Sequence, residues 1–227
     1  DFNADDVLFT FQRLLDPQNA FRKAYPAESP YFTDMGLNTT IKSVEKLDEQ
    51  TVRFNLNNVD AAFVQNLAMS FASVQSAEYA AQLLKEGKAA DLNQKPIGTG
   101  PFVFKRYQKD SQIRYIANTA YWKPEDVKID NLIFSITPDA AVRLQKLKAN
   151  ECQVALYPKP DDIETIKADP KLKIDEMEAM MTSYIAINTT HKYLSDVRVR
   201  EAINLAFDKK AYIKALFGEG KATEGVN

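Results

Sequence analysis

The chain has 227 residues, 45% of them hydrophobic and 26% charged, with 29 basic and 31 acidic side chains for a net charge of -2. That length suits one large domain or two smaller ones with a sizeable core. The near balance of charge gives no bulk attraction for nucleic acid or acidic lipid, and no apolar run approaches the roughly 20 residues of a membrane-spanning helix.

The first predicted element is a helix. Asn3 stands where a cap belongs, Asp6 follows three residues on, and VLFTFQRLL sets Val7, Leu8, Phe11, Leu14 and Leu15 at helical spacing. Asp16-Pro17 stops it. Residues 17 to 40 read as loop, with three prolines and the aromatic cluster SPYFTDMG. IKSVEKLDEQTVRFNL reads as two strands about a turn, with Ile41 and Val44 on the first and Val52, Phe54 and Leu56 alternating on the second. DAAFVQNLAM predicts a short helix, and SAEYAAQLLKEGK another, begun by Ser76 and closed near Gly87.

After Gly98-Thr99-Gly100-Pro101 the pattern turns to strands: FVFKRY, QIRYIA and DNLIFSIT. Pro138-Asp139 opens an amphipathic helix with Ala140, Leu144 and Leu147 along one face. ECQVALY reads as a strand and PDDIETIKAD as a short helix. TSYIAIN reads as a strand apolar enough to be buried on both faces. SDVRVREAINLAFDKKAYIKALF is helical, two helices divided near Asp208. The fold class is α/β. The opening DFNADD reads as the entry to a helix and GEGKATEGVN carries no stop signal, so the sequence reads as an internal fragment.

Several chemistries fail on the residues. One histidine and one cysteine exclude zinc sites built from those types. A dinucleotide fingerprint would need a glycine at Val103 and a helix after Gly100, where a strand begins. A phosphate loop near GEGKATEG would need a glycine at Ala215 and a hydroxyl residue at Ala222. Ser43 and Lys46 have the S-x-x-K spacing but sit on a short charged strand. Ser-His-Asp catalysis would rest on His191 alone, in the polar run NTTHKYLSD. Gly98 and Gly100 read instead as a backbone that must bend sharply on entering a sheet. Cys152 reads either as a buried thiol or as half of a disulfide.

The residues around that bend carry a resemblance. IGTGPFVFKRYQKDSQIRYIANTAYW resembles the segment of bacterial extracellular solute-binding proteins for peptides in which a G-T-G-P-aromatic turn precedes two strands and an Asn-x-x-Tyr-Trp, here Asn118, Tyr121 and Trp122. FNADDVLFTFQRLLDP is similar to the family's Ala-x-Asp-Val helix at Ala4, Asp6 and Val7. YLSDVRVREAINLAFDKKAYI is similar to its Asp-Val-x-Val-Arg-x-Ala helix, at Asp196, Val197, Val199, Arg200 and Ala202, followed by Asp208 and Lys209. YIAIN resembles the strand just before it. NLAMSFASVQSAEYA and ANECQVALYP draw the likeness toward the dipeptide-binding branch, which includes haem-binding relatives.

The resemblance implies a two-lobed periplasmic binding protein fold with an accessory domain: residues 1–95 in the accessory domain and 96–227 in the first lobe. It implies a monomer in the periplasm that captures di- or short oligopeptides and hands them to an ABC permease in the inner membrane. No catalysis, cofactor, metal or nucleic-acid partner is implied. Tyr184, Asn188, Ser183 and Thr182 would lie on the strand where peptide backbone runs beside protein backbone. Tyr31 and Phe32 would approach the cleft from the accessory domain, and Cys152 would pair with a cysteine near the mature amino terminus, outside this chain. Trp122 is expected to be structural, and Arg198 and Arg200 solvated or ion-paired. The far lobe, which supplies the groups for the peptide's charged ends, lies outside these residues. Haem, an antimicrobial peptide or a sugar are alternative cargoes on the same fold, and a hydrolase on an unrelated α/β fold is the distant alternative.

Overall fold

Asn3 opens the first helix, α1 (Ala4–Leu15), through the predicted box: its Oδ1 accepts from Asp5 N at 2.8 Å, and its own N–H donates to Asp6 Oδ2 at 2.9 Å. This is a computed structural model that describes residues 2–26, 29–177, 181–218 and 220–225. Its residues form two compact units, Asp1–Ile136 and Thr137–Asn227.

In the first unit, α1 is followed by α2 (Ala20–Ala24), α3 (Pro30–Asp34) and α4 (Leu37–Thr40). The stretch expected as loop is therefore three short helices. Each is too short to show a period, and local devices start them: Asn19 Oδ1 accepts from Phe21 N and Arg22 N, Pro30 stands in the first turn of α3, and Gly36 (φ 71°) precedes α4. The hairpin β1 (Ile41–Asp48) and β2 (Thr51–Leu56) pairs as the alternation predicts, with Ile41 opposite Leu56 and Val44 opposite Phe54. Helices α5 (Phe63–Asn66), α6 (Ala77–Lys85, capped by Ser76) and α7 (Asp91–Gln94) follow.

Two apolar clusters hold these elements. Phe11, Phe32, Leu37, Ile41, Val44, Phe63 and Ala72 form one, with edge-to-face stacking of Phe11 on Phe54 at 4.9 Å and Phe32 on Phe71 at 5.7 Å. Phe21, Ala80, Leu83, Ala89 and Leu92 form the other, reached from α1 through Phe9 on Phe21 at 5.4 Å. The buried polar residues of α1 are both satisfied. Asp6 Oδ1 accepts from Ala77 N at 2.8 Å; Thr10 Oγ1 donates to Asp6 O and accepts from Gln75 N, each at 2.8 Å.

The unit ends in a separate antiparallel sheet of β3 (Phe102–Gln108), β4 (Gln112–Ala117) and β5 (Asn131–Ser135), in that order. Phe104, Tyr115 and Phe134 stack across one of its faces at 5.7 and 6.0 Å.

The second unit contains α8 (Ala140–Lys148), capped by Asp139, α9 (Ile163–Ala168), α10 (Val197–Ala206), capped by Asp196, and α11 (Lys209–Phe217), capped by Asp208. The two expected strands ECQVALY and TSYIAIN form no ladder. A strand is a pairing, and neither segment has a pairing partner among the described residues. The first is held another way. Arg143 on α8 donates from Nε to Leu156 O at 3.1 Å, from Nη2 to Tyr157 O at 3.1 Å, and from Nη1 to Thr137 O at 2.9 Å and Pro138 O at 2.6 Å. One guanidinium thus ties four backbone carbonyls, using the fork of donors that only arginine offers.

Candidate functional site

Thr182, Ser183, Tyr184 and Asn188 lie together on the stretch 181–188, which is neither helix nor strand. Tyr184 is 80% exposed and Ile185 58%, so the tyrosine ring is not core. Among the described residues, no backbone N–H or carbonyl of residues 182–187 enters a hydrogen bond. A row of main-chain donors and acceptors is therefore open, and such groups must pair once they are taken out of water.

Asn188 closes that row. Its Oδ1 accepts from Thr190 N at 3.0 Å and from Thr190 Oγ1 at 2.7 Å, and its carbonyl accepts from His191 N at 3.1 Å. The side-chain oxygen is thereby committed to an Asx turn, while the Nδ2 donors have no partner among the described residues. Arg200 anchors the far end of the loop, with Nη1 at 2.9 Å from both Leu194 O and Ser195 O. Arg198 pairs with Asp196 at 2.6 Å, and the Asp196 carboxyl is held below its ordinary pKa, first by the Arg198 side chain and then by the Arg198 N–H. Arg198 is ion-paired as expected, whereas Arg200 is half-buried and donates from its guanidinium to two backbone carbonyls instead. His191 is exposed at the turn, where its Nδ1 accepts from Tyr193 N at 3.4 Å, and no serine or threonine hydroxyl pairs with it among the described residues.

Tyr31 and Phe32 sit on α3, in the other compact unit. They diverge: the Tyr31 ring is 60% exposed, whereas Phe32 is 2% exposed within the first apolar cluster. Consecutive residues on a helix point about 100° apart, so burying one presents the other. Cys152, the single cysteine of these residues, is half-buried.

The bend at Gly98 and Gly100 has a different cause from the one expected. Neither glycine has a positive φ, and a Cβ at either would meet nothing within 4 Å. Asn118 shapes the turn instead. Its Nδ2 donates to Gly100 O at 2.8 Å, its N–H to Pro101 O at 2.9 Å, and its Oδ1 accepts from Ala120 N at 3.0 Å. We expect Gly98→Ala and Gly100→Ala each to change stability by less than about 0.5 kcal/mol, and Asn118→Ala to lower it by about 2 kcal/mol in denaturant unfolding of the complete protein.

The sequence pattern of the bacterial extracellular solute-binding proteins, family 5 Middle, matches residues 1–226. The chain belongs to this family. It is 62% identical over 217 residues to the Di/tripeptide-binding protein 1 of Pseudomonas aeruginosa (strain UCBPP-PA14), an alignment covering 96% of this chain and 40% of that protein. Its fold is similar to the ABC transporter-associated periplasmic binding protein DppA of Helicobacter pylori in complex with peptide STSA, with TM-score 0.89, 35% identity, and coverage of 100% of this chain and 44% of that one. It is also similar to a dipeptide binding protein of Pseudoalteromonas sp. SM9913 in complex with Met-Leu, with TM-score 0.86, 32% identity, and coverage of 96% and 43%. The chain spans about two fifths of the length of the curated relatives it matches. Among the described residues no helix is long and apolar enough to cross a membrane.

Proposed function

We propose that this chain is part of the peptide-binding subunit of an ABC importer, which captures di- or tripeptides in the periplasm and delivers them to a permease in the inner membrane. The observation that carries the reading is the 62% identity to a di/tripeptide-binding protein across 96% of this chain. The open main chain of residues 182–187 supports it physically. Peptide N–H and C=O groups laid beside that row would pair with protein backbone irrespective of peptide sequence. Tyr184 and Tyr31 would contribute exposed rings, Thr182 and Ser183 hydroxyls, and Asn188 its Nδ2 donors. Phe32, whose ring is in the core, would act by fixing α3 beneath Tyr31.

In this reading residues 1–95 belong to the accessory domain and 96–227 to the first of two lobes. Cys152 pairs with a cysteine outside these residues, as an oxidising compartment permits. The subunit works as a monomer and without catalysis. Titration calorimetry of the complete protein tests the function. Dipeptides and tripeptides are expected to bind at one site per protein, and haem not to compete. Haem binding with no response to peptides would overturn the reading in favour of the haem-carrying alternative.

A further inference from the structure

The second sheet gathers three basic side chains on one face. In the pairing of β3 with β4, Phe104 stands opposite Tyr115 and Arg106 opposite Arg114, so Lys105 is the extra residue of a bulge. Strict alternation would send Arg106 to the face of Phe104. The bulge instead brings Lys105 and Arg106 out on the same face as Arg114. These three side chains, with Gln112 and Ile116, line an open depression of about 380 Å³.

Among the described residues no carboxylate pairs with Lys105, Arg106 or Arg114. Arg106 Nη2 donates to Gln108 Oε1 at 2.7 Å and Arg114 Nη2 to Asn131 Oδ1 at 3.0 Å, both uncharged amides. Two like charges set directly opposite across strands repel. Without the bulge Lys105 would face Arg114; the bulge adds Arg106 to that face, and three cations gathered this way make a place for an anion. The same face presents two exposed aliphatic side chains, Val103 (39%) and Ile133 (51%), at its flanks.

We propose that this face docks on the anionic phospholipid headgroups of a membrane surface. The depression is open, which suits a plane of headgroups better than a lone ion that needs enclosing donors. The cations stand on long exposed stems that follow a fluid surface, and Val103 and Ile133 can rest against the headgroup layer. Each basic residue near an anionic leaflet adds to the attraction, and three together raise partitioning by about a hundredfold. The chain's net charge of -2 does not oppose this, because charges beyond roughly 8 Å are screened at physiological salt. The inference stands on the sheet alone and is independent of the cargo.

The test is co-sedimentation of the complete protein with vesicles of phosphatidylcholine, with and without phosphatidylglycerol, at low and physiological salt. Binding is expected only to the phosphatidylglycerol vesicles, to weaken with salt, and to fall about a hundredfold in the triple variant Lys105→Gln, Arg106→Gln, Arg114→Gln. Dipeptide calorimetry of that variant should be unchanged, which shows that it folds. Equal partitioning of wild type and variant, or equal binding to neutral vesicles, overturns the proposal. Displacement by inorganic phosphate at constant ionic strength would assign the face to a free ion and also overturn it. So would loss of binding to detergent-solubilised permease with vesicle binding intact, which would assign it to a protein partner.

Discussion

Asp6→Ala is expected to lower the stability of the Asp1–Ile136 unit by about 3–4 kcal/mol, although Asp6 is a single polar residue in a helical first turn. Its carboxylate is 5% exposed as a residue and has two distinct jobs: Oδ2 takes the Asn3 N–H that starts the helix, and Oδ1 takes the Ala77 N–H that starts α6. Alanine would strand both donors, and a part-buried N–H without an acceptor costs about 1–3 kcal/mol. It would also detach α1 from the start of α6, a tie that spans 71 positions of sequence. Asn3 would keep its own cap to Asp5, so the helix itself should survive. Hydrogen exchange in the complete protein gives a local readout: the Ala77 amide should exchange several hundredfold faster in the variant. Asp6→Asn retains one acceptor oxygen and should lose about half as much. An Ala77 amide equally protected in wild type and Asp6→Ala would show that the bond carries no stability.

The same residue shows what was legible in the sequence. The spacing of Asn3 and Asp6 identified a helix start, and the likeness at Ala4, Asp6 and Val7 marked the position as distinctive. Only the fold shows why: Ala77 is far along the chain, and no local pattern points to it. The β1–β2 hairpin, the three strands after Pro101 and the helices capped by Ser76, Asp139, Asp196 and Asp208 were legible for the opposite reason, since their signals are local. The helices between residues 17 and 40 were not, because elements of four or five residues leave no period to read. The apolar run TSYIAIN was correctly distinctive and wrongly expected as a strand: apolar text reports a tendency to be covered, whereas a strand requires a particular neighbour. At the candidate site, only the family resemblance points to Tyr184 and Asn188, since no local motif marks them. The Asn118 clasp on Gly100 was not legible, because its meaning is a hydrogen bond to a backbone oxygen that sequence does not display.

Dipeptide binding by residues 1–227 alone is expected to be at least about a hundredfold weaker than by the complete protein, and Asn188 should decide how evenly the remainder is lost. A bound peptide gives up water on all sides, so its backbone groups and charged ends each require partners. In the proposed reading residues 182–187 would supply one open row of backbone groups, and the removal of two or more bonds on the opposite side amounts to the stated factor. In the complete protein, Asn188→Ala should weaken dipeptides of unlike sequence by a similar factor, about tenfold each, because a donor to peptide backbone does not distinguish side chains. Alanine also removes the turn made by Oδ1 with Thr190, so it cannot by itself separate positioning from contact. Asn188→Asp can. Aspartate keeps the acceptor oxygen that holds the turn and loses the Nδ2 donors. If Asn188 merely shapes the loop, the aspartate variant should bind as the wild type does. If Nδ2 donates to the peptide, aspartate should lose at least as much as alanine, and calorimetry across several dipeptides should show the loss to be uniform. A change of side-chain preference at constant mean affinity would instead place Asn188 in a specificity pocket and remove the case for backbone pairing along this segment.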